Sequence, residues 1–130
     1  EKGAGLPYDF NEWQPDAVII NLGTNDDNCC KEESELDKVA SCASDFLKIV
    51  RYCNPDAHIV WAYGMVGSNM KDTLQKGIEI YKNESHDRKV HFLELADTTE
   101  ETKGARLHPG KKSHQDAKEL IMKLLKEILE

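Results

Sequence analysis

Three features of this sequence predict a doubly wound α/β fold: a nearly unbroken apolar run, its recurrence twice further along, and helical periodicity after each occurrence. The first run, Ala17 to Leu22, is too apolar for a strand with one wet face and fits a parallel strand covered on both sides. His58 to Tyr63 and Val90 to Leu95 repeat the pattern. With right-handed crossovers, strand, helix, strand, helix, strand, helix makes half of a flavodoxin-like three-layer sandwich, a parallel sheet of which three strands are visible in this chain.

Each helix has its own warrant. Leu36, Val39, Ala40, Ala43, Phe46, Leu47 and Val50 fall on one face of the first, which Ser34 and its capping-box partner Asp37 would open and Asn54-Pro55-Asp56 would close. Met70, Leu74, Ile78 and Tyr81 space out a second, in which Gly77 costs about 1 kcal/mol of helix propensity. The third, from about Ser113 to Leu129, aligns Ala117, Leu120, Ile121, Leu124, Leu125 and Ile128, with His114 on the same buried stripe. Three strands are few for a sheet covered on both faces, so the expectation is that further strands precede Glu1 or that another chain covers the open edge. Tyr8, Phe10 and Trp13, in the loop from Gly3 to Gln14, also need something to pack against.

The 130 residues suit a single α/β domain spanning 1–130. A net charge of −7 spread along the chain, with no basic stripe, argues against nucleic acid as a partner. The longest apolar stretch is a strand's worth, far below the roughly 20 residues of a membrane-spanning helix, so no membrane partner is expected. Cys29, Cys30, Cys42 and Cys53 lack the paired spacing of a zinc site, and no metal or other cofactor is expected. Cys42 and Cys53 read as small buried hydrophobes on one flank of the first helix. The vicinal pair Cys29-Cys30 lies in a polar loop, where a thiol can react.

Ligands of open parallel sheets gather outside the carboxyl ends of the strands, where Gly23-Thr24-Asn25-Asp26 lies. The Asn25 amide is a neutral donor suited to an oxyanion, a role worth about 3 to 4 kcal/mol of barrier. An Asn in a tight turn that bonds its own backbone fits the same spacing. Downstream, Pro109 holds His108 extended and is suited to open the last helix, whose dipole would depress the imidazole pKa and keep it neutral, as a general base requires. Tyr63 and Met65, closing the second strand, are candidates to line an acyl or sugar pocket, whereas Trp61 reads as core and Trp13 as packing near the opposite rim. His58, His86 and His91 have no catalytic context.

Gly23-Thr24-Asn25-Asp26 resembles the G-x-N-D block of the SGNH (GDSL-type) hydrolases, and His108-Pro109 resembles the histidine of their last block. Tyr8-Asp9-Phe10 with Trp13-Gln14-Pro15-Asp16, leading into the strand, is most similar to the acetyl-ester-cleaving carbohydrate esterases of family two. The resemblance covers nearly the whole chain but only the carboxyl-terminal portion of the family's domain. It implies a serine esterase, extracellular and free of cofactors, that removes acetyl or other small acyl groups from carbohydrate. Asn25 would be the oxyanion-hole donor, His108 the general base and Asp26 a brace for the turn, with an acylated carbohydrate or other small ester as partner.

Three departures from the family pattern shape that expectation. The Gly-Asp-Ser block with the nucleophile is absent, as is the block with the second oxyanion glycine, so a missing amino-terminal segment carrying Ser is itself an expected partner and the fragment alone is expected to be inactive. Ala105 stands where the family usually has an Asp, so no local carboxylate can orient His108; the expectation is a Ser-His dyad whose imidazole is held by a backbone carbonyl. Ser68, the in-chain serine near the rim, lacks a nucleophile elbow. The competing reading is a non-catalytic, receiver-like interaction module in which Asp26 and Asp27 hold Mg²⁺. It lacks a phosphoacceptor, because the second strand ends in Tyr63-Gly64-Met65.

Overall fold

The computed structural model describes residues 8–130 and shows a three-stranded parallel sheet in the order β1-β2-β3. The strands are β1 (Ala17–Ile20), β2 (His58–Gly64) and β3 (Val90–Leu95), and the helices are α1 (Glu33–Cys53), α2 (Lys71–Ser85) and α3 (Lys111–Leu129). Single 3-10 turns occupy Asp26–Asn28 and Ala105–Leu107. Of the first loop, Gly3 to Pro7 lie outside the described residues.

Because each strand steps across the sheet in the same direction, right-handed crossovers place α1 and α2 on one face. There Leu47, Leu74, Ile78 and Tyr81 pack with Ile20, Ile59, Trp61, Tyr63 and Val90. On the other face Ala117 and Ile121 of α3 meet Ala62, Leu93 and Leu95. Gly77 is explained by this packing: a Cβ there would come within 2.6 Å of the Ala40 carbonyl and 2.8 Å of Ala43 Cβ, so glycine lets α2 lie against α1.

Several expectations are corrected in detail. The capping box of α1 is Glu32 with Glu35, whose carboxylate accepts the Glu32 N–H at 3.1 Å and the Lys31 N–H at 2.9 Å. Ser34 already lies inside the helix, since it is Glu32 that keeps extended backbone. Helix α3 begins at Lys111 with Gly110 as its N-cap, and Pro109 instead pairs with Lys103 in an isolated antiparallel bridge. His114 is exposed, as is Leu120, because the buried stripe of α3 narrows to Ser113 and Ala117. Cys42 is also exposed and Cys53 only half-buried.

Among the described residues β1 pairs only with β2, leaving one edge free, and Ile19 and Leu22 beside it are 40% and 55% exposed. Tyr8, Phe10 and Trp13 are exposed too, with Tyr8 and Phe10 in edge-to-face contact. The opposite, amino-terminal end of the sheet is closed by side chains. Arg51 Nε donates to Asp87 Oδ2 at 2.8 Å, Arg51 Nη1 donates to the Ala57 carbonyl at 2.7 Å, and the Tyr81 hydroxyl donates to Asp87 at 2.9 Å. This ties the end of α1, the start of β2 and the end of α2 into one staple. Beside it, His58 Nδ1 and His91 Nε2 share a hydrogen bond of 3.0 Å.

Candidate active site

The turn after β1 is held from below. Trp61 Nε1 donates to the Leu22 carbonyl at 3.0 Å and Asn21 Nδ2 donates to the Ala62 carbonyl at 2.7 Å, so the backbone leaves the sheet along a fixed path. Gly23 then takes φ 122°, and a Cβ would meet Leu74 Cδ1 at 2.8 Å. Only glycine satisfies both the positive φ and the contact. Asn25 follows in helical backbone at the head of the 3-10 turn, exposed, and its side chain makes no capping bond. Asp26 braces that turn through its carbonyl, which accepts the N–H groups of Cys29 and Cys30 at 3.1 and 2.9 Å.

Three loops at this end of the sheet form one ledge. Asn69, between β2 and α2, donates to Asp27 at 2.8 Å; the Gly67 N–H donates to Asp97 at 3.1 Å and the Thr98 N–H to the Met65 carbonyl at 3.1 Å. The loop with Asn25 is thereby linked through the second loop to the third, which carries His108. Sequence reasoning missed Asn69 and Asp97 as links. For Asp97, a polar residue just beyond a strand's carboxyl end was the available signal; nothing in the sequence marks the partnership of Asn69 with Asp27.

The third loop is wound tightly around His108. The Gly104 N–H donates to the His108 carbonyl at 2.6 Å, the His108 N–H to the Ala105 carbonyl at 3.1 Å, and the Gly110 N–H to the Thr102 carbonyl at 2.9 Å. Arg106 and Leu107 both sit in left-handed backbone, at φ 54° and 64°, a conformation that costs about 1 to 3 kcal/mol per residue and collects at functional sites. The strain turns the Arg106 carbonyl to within 3.0 Å of His108 Nδ1. A carbonyl only accepts, so Nδ1 carries the hydrogen, and in the neutral form of the ring Nε2 presents a lone pair. The ring is exposed, and among the described residues no carboxylate is hydrogen-bonded to it.

Tyr63 and Met65 are 2% and 8% exposed. The Tyr63 hydroxyl accepts the Met70 N–H at 3.2 Å inside the α1/α2 layer, and Met65 packs with Leu95 and Ala117 under α3. Neither stands on the ledge surface beside Asn25 or His108. A shallow cavity of about 160 Å³ beneath the first turn is walled by Leu22, Gly23, Asp26, Phe46, Trp61 and Leu74 among others, and His108 is not part of it. Ser68 is exposed, its carbonyl accepting the Lys71 N–H. Asp27 is not poised for a cation: Lys31 at 2.8 Å and Asn69 occupy its two oxygens, and these hydrogen bonds hold its carboxyl below the ordinary range. Among the described residues no three metal-ligating side chains converge.

No family model matches the chain. It is 31% identical over 117 residues to the cellulase/esterase CelE of Acetivibrio thermocellus, an alignment that takes in 86% of this chain and 14% of that protein. An acetyl xylan esterase from the rumen bacterium Butyrivibrio proteoclasticus superposes with a TM-score of 0.91 at 39% identity, over 97% of this chain and 40% of that one. A family two carbohydrate esterase from Clostridium thermocellum, solved in complex with cellohexaose, does so with a TM-score of 0.82 at 29% identity, over 97% and 40%. The chain therefore spans less than half the length of each of these proteins. In sequence and in backbone its neighbours are the SGNH-type carbohydrate esterases of family two, and it covers a fragment of them.

Proposed function

We propose that this chain is the carboxyl-terminal portion of a serine esterase that removes acetyl or other small acyl groups from carbohydrate. The observation that carries the reading is the bond between His108 Nδ1 and the Arg106 carbonyl. It fixes the tautomer in which Nε2 can take a proton, the task an acidic residue performs in a full triad. A serine supplied from outside residues 1–130 attacks the ester carbonyl while His108 Nε2 accepts its proton. The Asn25 amide donates to the oxyanion, and His108 returns the proton to the departing sugar hydroxyl. Water, activated in turn by His108, releases the acyl group. The names of the neighbours, an acetyl xylan esterase and an esterase holding cellohexaose, support an acylated polysaccharide as substrate. The family resemblance favours an extracellular setting.

The reading is tested by joining the chain to a serine-bearing segment of the same family and following aryl acetate hydrolysis. His108→Ala should abolish turnover with the fold intact. Retained turnover removes His108 from the mechanism.

A further inference from the structure

The loop that presents Asn25 also carries two adjacent thiols that the esterase chemistry does not use. Cys29 Sγ and Cys30 Sγ lie 3.6 Å apart, and Cys29 Sγ is 3.5 Å from the Asp26 carbonyl. Cys29 is exposed and Cys30 half-buried. The two sulfurs already face one another and need close by about 1.5 Å to reach the roughly 2.05 Å of a disulfide. Their α-carbons, one trans peptide apart at about 3.8 Å, are nearer than an unstrained disulfide prefers, so closing the ring must twist the Cys29-Cys30 peptide. The N–H groups of that segment are the ones bonded to the Asp26 carbonyl, and the neighbouring Asn28 N–H donates to the Asn25 carbonyl at 3.2 Å. Oxidation of the pair therefore pulls on the turn that aims Asn25.

We infer that Cys29 and Cys30 form a reversible thiol switch on the loop carrying Asn25, oxidised by a small-molecule disulfide such as oxidised glutathione. The exposed Cys29 thiolate attacks the oxidant, forming a mixed disulfide and releasing one thiol. The Cys30 thiolate then attacks Cys29 Sγ, forming the intrachain bond and expelling the second thiol. Two protein thiols are oxidised and one small disulfide becomes two thiols. Strain in the eight-membered ring makes the bond easily reduced, which suits a switch more than a structural crosslink. The hydrogen bond with Cys29 pushes the Cys30 thiol up, with Glu35 and Asp26 acting in the same sense, so ring closure quickens with rising pH. The consequence for catalysis rests on the esterase reading; the thiol chemistry does not.

The test incubates the folded chain in glutathione buffers of graded redox composition, with intact-mass and peptide mapping. The inference expects loss of two hydrogens, mapped to a Cys29–Cys30 bond and reversed by reduced glutathione, with amide exchange at Asn28 to Cys30 accelerated in the oxidised form. Cys30→Ser should trap a stable glutathione adduct on Cys29, and Cys29→Ser should form no intrachain bond. A crosslink from Cys30 to Cys42, or adducts that persist on both cysteines of the wild-type chain, overturns it. Unchanged exchange in the oxidised chain overturns the coupling to the turn. Joined to the serine-bearing segment, the oxidised protein should lose about a hundredfold in turnover, the scale of a misplaced oxyanion donor, and regain it on reduction. A reduced protein with no esterase activity would sink the functional proposal, while the mapped bond would still decide the thiol chemistry.

Discussion

The two ends of the sheet are built by opposite means. At the amino-terminal end, Arg51, Asp87 and Tyr81 bond one another, Arg51 also bonds backbone carbonyls, and His58 bonds His91. At the carboxyl-terminal end Asn25 and His108 stand exposed, on loops shaped by positive-φ backbone. Among the described residues, six of the seven with positive φ, Gly23, Gly64, Met65, Gly67, Arg106 and Leu107, lie at the last residue of β2 or in the loops there, while the seventh, His86, is an ordinary left-handed helix cap. On the proposed reading, stability and chemistry are housed at different ends of the same strands. A substitution at one end should leave the property of the other nearly untouched.

The largest effect should break the carboxyl-terminal end alone. In the serine-complemented protein, Asn25→Ala should lower kcat by roughly 10²- to 10³-fold with little change in KM or thermal midpoint, as steady-state kinetics and calorimetry would show. An unchanged kcat would return Asn25 to the role of a turn residue. At the other end, Asp87→Asn should destabilise the fold by about 2 to 3 kcal/mol in urea titration, because it leaves a largely buried guanidinium without its charged partner. Burial alone would raise the Asp87 carboxyl, but hydrogen bonds from Arg51, the Lys89 N–H and Tyr81 hold it below its ordinary value. A depressed folded pKa means the stabilisation is present above the unfolded value near 4 and is lost as pH falls below it.

A milder effect separates the histidines. Burial pushes His91 below the usual imidazole range, with His58 and Lys82 adding to the shift and Asp87 opposing it. The unfolded chain then takes up the proton first, so stability should decline as pH falls below the unfolded value of about 6.5. His91→Phe should flatten that slope without altering turnover. Smallest of all, Trp61→Phe removes the donor to the Leu22 carbonyl and should cost about 1 kcal/mol, with a loss of turnover of only a few-fold. It is the one substitution expected to register at both ends, since Trp61 is core and also the anchor of the first turn.

The strands and helices were readable because burial on both faces, or on one stripe, leaves a periodic imprint. Where the imprint is ambiguous, reading falters. In a strand as apolar as β2, alternation does not say which layer a residue faces, so Tyr63 reads as rim from sequence while its hydroxyl is spent on the Met70 N–H. The start of α1 is decided by two glutamates that compete with a plausible serine. At His108 the sequence shows the residue type and the missing acid at Ala105, but not that Arg106 and Leu107, ordinary L-residues, adopt the left-handed backbone that delivers a carbonyl to the ring.

The central claim is that this carbonyl sets the imidazole for base catalysis. Long-range nitrogen–proton NMR couplings of His108, recorded on the chain at a pH where the ring is neutral, test it directly. The account predicts the tautomer with hydrogen on Nδ1 and a bare Nε2. A ring protonated on Nε2, or one averaging freely between the two forms, would contradict it.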